Sequence, residues 1–155
     1  MHTTEILNTL ENCELFRGLG KEEIEQIAGL ASVKGYKAGE SIFHQGDLGG
    51  DLYVIAEGHV VLERAIDLGA RKGTATIGVL GKGRTLGCWA TLLGAPHSLM
   101  SSATCVKPTK VINIEGPALR EIMLGNLLLG FRVLERICSI LRERLQGAYG
   151  AMERI

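Results

Sequence analysis

Residues 37–64 read KAGESIFHQGDLGGDLYVIAEGHVVLER. Within them the short runs SIFHQ, DLYVIA and HVVLER, rich in Val, Ile and aromatic residues, are parted by glycine-bearing turns. These side chains fit a pleated, half-buried surface, and the runs are too short for core helices. The same texture continues in TATIGVL and KVINIE, so residues 35–115 are expected to form an antiparallel jelly-roll barrel, or β-roll. Tight turns also account for 21 glycines beside three prolines. No Rossmann fingerprint or Walker loop precedes a helix, and no strand–helix repeat suggests a parallel sheet, which disfavours the common hydride- and phosphoryl-transfer folds.

Helical patterns flank this β segment, giving a mainly β fold with helices at both ends. In GKEEIEQIAGLA, acidic residues lead and Ile24, Ile27, Ala28 and Ala31 recur at helical spacing, so residues 1–34 read as a helical lead-in. Beyond Gly116 and Pro117 the chain returns to helix, over residues 117–155. There Leu127, Phe131, Leu134, Cys138, Leu141, Leu145, Ala148, Met152 and Ile155 follow one another at alternating steps of four and three. That is a heptad seam, flanked by Glu135, Arg136, Arg142, Glu143 and Arg144, and it predicts a homodimer through a parallel helix pair. Val133, Ile137 and Ile140 make a second strip able to lie on the barrel. A long helix packed only on its own domain is the competing reading, and Gly147 and Gly150 are expected to weaken its last turns.

The 155 residues suit one domain spanning 1–155. Seventeen basic and seventeen acidic side chains cancel without a basic block, which speaks against DNA binding. The first residues lack a basic start and apolar run, and no segment is long enough to span a bilayer, so a soluble cytoplasmic protein without membrane association is expected. Cys13, Cys88, Cys105 and Cys138 lack the close pairing of a zinc site or redox dithiol. No nucleophile–base pair, paired carboxylates or metal cluster is readable, so catalysis is not expected.

The quoted run resembles the cyclic-nucleotide-binding domain, the β-roll of catabolite activator protein and of the regulatory subunits of cyclic-AMP-dependent kinase. Gly39-Glu40, Gly46-Asp47, the strand Leu52-Tyr53-Val54-Ile55 and Gly58 fall in the family's order. LFRGLGKEEIEQIA resembles its helical lead-in, VLGKGRTLG the entry to its phosphate cassette, and the helix from Leu127 its dimerising C-helix. The resemblance implies a cyclic nucleotide, cyclic AMP or cyclic GMP, as ligand. In the family a cassette Glu holds a ribose hydroxyl and an Arg pairs with the cyclic phosphate. Here Leu86 and Gly87 are followed by Cys88, Trp89 and Ala90, without a carboxylate. Counting forward from Gly87 puts His97 at the arginine position, and counting back from the strand 111–114 puts Leu99 there. With two charged hydrogen bonds missing, at about 1.5–3 kcal/mol each, cyclic-nucleotide affinity should fall by roughly two to four powers of ten.

The cassette's backbone remains. Residues 88–93 can form a short helix offering N–H groups to an anion, and Ser98, Ser101 and Ser102, beside Leu99 and Met100, can add hydroxyls. The candidate ligand residues are therefore Leu86, Gly87, Cys88, Trp89, Ala90, His97, Ser98, Leu99, Met100, Ser101 and Ser102. Several have plainer readings: His97 as a solvent loop residue, Cys88 as a buried filler instead of a low-pKa thiol, and Trp89 as a plug for the pocket. Haem is a weaker option, with His44, His59, His97 or a cysteine as axial ligand and no attachment motif. Two functions compete: a non-catalytic sensor of a small anionic ligand, and a ligand-free interaction dimer. The chain ends about where the family's DNA-binding segment would begin, so either would act through an unidentified partner protein.

Overall fold

The computed structural model describes residues 2–154. Helices α1 (Thr3–Asn12) and α2 (Lys21–Ala28) lead in. The first turn of α2 is closed by the Gly20 N–H, which donates to Glu23 Oε1 at 2.9 Å. Ten strands follow: β1 (Ala31–Tyr36), β2 (Ser41–Phe43), β3 (Leu48–Gly49), β4 (Asp51–Glu57), β5 (Val60–Asp67), β6 (Lys72–Leu80), β7 (Thr85–Leu86), β8 (His97–Ser98), β9 (Ser102–Cys105) and β10 (Thr109–Glu115). The short helix α3 (Trp89–Leu93) interrupts them, and α4 (Gly116–Gly125) and α5 (Leu127–Glu153) close the chain.

The strands form antiparallel sheets in the orders β1-β10-β4-β7 and β2-β9-β5-β6, with β3 and β8 as a separate pair. This is the β-roll expected from the glycine-punctuated runs, and Gly39, Gly46 and Gly58 all have positive φ. Strand β4 shows how the pleat divides the interior. Leu52, Val54 and Ala56 face a cluster shared with the helices, whereas Tyr53 and Ile55 face the cluster inside the roll. Ala31, read from sequence as the last apolar residue of a helix face, instead begins strand β1, so the sheet starts inside the segment read as lead-in. β1 pairs only with β10, and its burial is slight along its length, so this edge strand lacks the alternating apolar signal of a half-buried one.

Asn126 separates the last two helices. Its side-chain oxygen accepts from the Leu129 N–H at 3.2 Å and caps α5. The strip Val133, Ile137 and Ile140 is buried against the domain. The heptad seam divides in two. Leu127, Phe131, Leu134 and Cys138 stand exposed, as do Leu145 and Met152, while Leu141 and Ala148 are half-buried; Ile155 lies outside the described residues. Gly147 does not break the helix. A Cβ there would collide with the Ile77 carbonyl oxygen of β6, so glycine lets α5 rest directly on the roll, and the helix continues to Glu153. Among the described residues no helix is long and apolar enough to cross a membrane.

Candidate functional site

A cavity of about 610 Å³ opens between the roll and α5, within the size range of small-molecule sites. Phe43, Leu62 and Ile77 line it from the sheets, Thr85 to Trp89 and Leu99 to Ser101 from the cassette, and Ile140, Leu141, Arg144, Leu145 and Ala148 from α5. Of the candidate ligand residues, Leu86, Gly87, Cys88, Trp89, Leu99, Met100 and Ser101 line this space, whereas Ala90, His97, Ser98 and Ser102 do not. The β3–β8 pairing explains part of that division. It sets His97 opposite Gly49 and Ser98 opposite Leu48 on an exposed ribbon, and the next residue, Leu99, turns into the roll's core. Between the two counts to the arginine position, only the backward one lands on the cavity. Ala90 is buried on the inner face of α3, against Gly116, and the Ser102 hydroxyl accepts from the Gln45 N–H at 2.9 Å, which commits it to a turn.

Gly87 holds the cassette close to β4. Its φ is +76°, and a Cβ would lie 2.7 Å from the Asp51 carbonyl oxygen, so any other residue would be strained and crowded. The helix expected over 88–93 forms as α3, Trp89–Leu93, with Cys88 as its N-cap. Trp89 is half-buried and forms part of the wall. It does not plug the pocket, since about 610 Å³ stays open with Trp89 in the wall. Burial pushes the Cys88 thiol up to about 12, so at neutral pH it is an un-ionised apolar filler and not a reactive thiolate.

The sequence reading missed the charged groups of this cavity, Arg64 on β5 and Arg144 on α5. Arg64 Nη1 donates to the Met100 carbonyl at 2.6 Å and so tethers the cassette. Arg144 Nη2 donates to the Thr85 carbonyl at 2.6 Å, and its Nη1 meets Glu143 Oε2 at 2.6 Å. Its side chain is 18% exposed. Burial pulls the guanidinium below its usual pKa, opposed by the carboxylates of Glu143 and Glu14. Glu143 also pairs with Arg84, whose Nε meets Glu14 Oε1 at 3.1 Å, and Glu14 Oε2 accepts from the Thr85 N–H at 2.6 Å. Lead-in, β7 and α5 are thereby joined in one polar network beside the cavity. Thr85 is fully buried, and its hydroxyl has no hydrogen-bond partner among the described residues. A signal for Arg144 was present in the sequence: with Ile140 and Ala148 it shares four-residue steps, a cation embedded in an apolar helical stripe.

Among the described residues no Asp or Glu lines the cavity, so none of them replaces the carboxylate missing from the cassette. Among the described residues there is no group of three or more His, Cys, Asp and Glu able to hold a metal ion. His44 and His97 are exposed, and His59 borders a different, polar depression with Lys82, Lys107 and Lys110. None of them faces the cavity, and the arrangement offers no ligand pair for haem iron.

Comparison with known proteins agrees with this geometry. The family model of the cyclic nucleotide-binding domain matches residues 33–126. The Cyclic AMP receptor protein of Thermus thermophilus is 31% identical over 139 residues, which are 90% of this chain and 60% of that protein. The chain thus spans about three fifths of that relative's length. A cyclic nucleotide-binding domain from Methylobacillus flagellatus superposes with a TM-score of 0.74 at 25% identity, covering 99% of this chain and 82% of that one. The regulatory domain of Toxoplasma gondii PKA, solved with cAMP, shares the fold with a TM-score of 0.65 at 21% identity, over 77% of this chain and 44% of that one. The matched residues run from the first strand, through the roll and its cassette, to the cap of α5, and on that evidence this chain belongs to the cyclic nucleotide-binding domain family.

Proposed function

We propose that the chain is a non-catalytic regulatory module that senses a small molecule in the cavity and reports it through a homodimer formed on α5. One observation carries this reading. The helix that walls the cavity with Ile140, Leu141, Arg144, Leu145 and Ala148 also presents Leu127, Phe131, Leu134 and Cys138 to the outside. A ligand that favours one placement of α5 shifts the population of that placement, and with it the geometry of the exposed seam. Cyclic AMP and cyclic GMP are weak ligands in this reading, since no carboxylate is present for the ribose and no cassette arginine for the phosphate. The output passes to a partner protein that recognises one state of the dimer.

The test needs no ligand. Ser101→Trp adds an indole to the cassette wall, away from the exposed seam, and so fills the cavity. Sedimentation over a dilution series should show a wild-type dimer whose dissociation constant changes by about tenfold in the variant, equivalent to about 1.4 kcal/mol. A dimer of unchanged dissociation constant would leave a ligand-free interaction module as the function. A wild-type chain that stays monomeric throughout would contradict the dimer itself.

A further inference from the structure

The chemistry of the cavity wall identifies a class of ligand, an inference that rests on the sensor reading above. Phe43, Leu62, Ile77 and Leu99 make the roll side apolar, and Leu141 and Leu145 do the same from α5. The charged side chains at the wall are both cationic, Arg64 and Arg144. Among the described residues Arg64 has no carboxylate within ion-pairing distance, and Arg144 has only Glu143. Arg144 spends N–H groups on Glu143 and on the Thr85 carbonyl, and a guanidinium has five to give.

Both guanidinium groups are fixed at the wall, Arg144 Nη2 by its 2.6 Å bond to the Thr85 carbonyl and Arg64 Nη1 by its 2.6 Å bond to the Met100 carbonyl. A sugar phosphate would leave its ribose hydroxyls facing leucine and phenylalanine, where burying them without partners is unfavourable.

We infer that the cavity binds an organic carboxylate with an apolar body, its acid group held by Arg144 and its hydrocarbon packed against the roll. Binding draws Arg144 toward the carboxylate in competition with Glu143, and Glu143 is the residue through which α5 is paired to Arg84. The ligand thus acts on the polar network that fastens α5 to β7 and the lead-in.

Trp89 is the chain's sole tryptophan and lines the cavity, so its emission reports occupancy directly. The experiment titrates the full chain with octanoate, 1-octanol and cyclic AMP while following that emission. Octanoate should saturate at least about tenfold more tightly than 1-octanol, which has the same chain and no charge. Arg144→Met should bring the two affinities together while 1-octanol binding persists, which shows that the variant is folded. Arg144→Lys should restore part of the preference. Equal binding of octanoate and 1-octanol, or no saturable response to octanoate, would overturn the inference. Saturation by cyclic AMP with octanoate silent would overturn the ligand class and retain the sensor. Silence toward all three, together with an unchanged dimer constant in Ser101→Trp, would remove both.

Discussion

Two stretches meet across the cavity, the cassette from Thr85 to Ser101 and the helix α5, and they bring opposite chemistry to it. The cassette supplies close backbone approach at Gly87 and apolar side chains, without a charge. The helix supplies the cation Arg144 and a wall of aliphatic groups. A cassette that has lost its charged residues therefore still borders a charged pocket. In this arrangement Arg144, one of the two cations at the wall, sits on the element proposed to move, so recognition and response meet on the same helix.

The sharpest way to break the comparison is to loosen the helix. Ile137 is fully buried where α5 packs on the domain, and Ile137→Ala should lower stability by about 2–5 kcal/mol in denaturant unfolding. A loss below 1 kcal/mol would mean that α5 is held only by its polar network. The matching change on the cassette side is Gly87→Ala. A positive φ and the nearby Asp51 carbonyl should cost about 1–3 kcal/mol, and an unchanged midpoint would show that the close approach is dispensable. Phe131→Glu separates the two surfaces of α5. Phe131 is 63% exposed, so the fold should change by less than about 0.5 kcal/mol while sedimentation reports a monomer.

The smallest effects concern the thiols and pH. Cys13, Cys88 and Cys105 are buried and Cys138 is exposed, so the folded chain should react with a thiol reagent at Cys138 alone. Reaction at Cys88 would mean that the cavity opens widely. The Cys88 thiol is pushed up to about 12 by burial, from 9.0. The unfolded chain therefore loses that proton first as pH rises, and stability, complete below pH 9, should decline between pH 9 and 12. Cys88→Ala should make that decline shallower, with burial of Cys13, Cys105 and Tyr53 supplying the remainder, measured as the denaturation midpoint against pH.

The roll was legible because its signals are local. Gly39, Gly46 and Gly58 take the positive φ that tight turns demand, and Leu52, Val54 and Ala56 alternate with Tyr53 and Ile55 as a pleated strand must. The buried strip Val133, Ile137 and Ile140 could likewise be read from helical periodicity. The pocket was legible only on its cassette side. Arg144 lies some sixty residues from Thr85 in sequence, and the bond between them forms only in the fold, where α5 rests on β6 with Gly147 at the contact. Position by position, His97 looked as suitable as Leu99, until the pairing of β3 with β8 carried one to the surface and the other inward. Trp89 could be assigned a plug from size alone, but in the fold it stands in the wall of a cavity that stays open.

The central claim is that filling the cavity is felt at the exposed face of α5, and Cys138 allows this to be read directly. It is the exposed thiol of the chain and lies on the seam with Phe131 and Leu134. Under mild oxidation, wild-type protein should form a disulfide-linked dimer that Cys138→Ser abolishes, and Ser101→Trp should change the rate of cross-linking severalfold. Cross-linking of Ser101→Trp at the wild-type rate, with its cavity filled and its fold intact, would contradict the account.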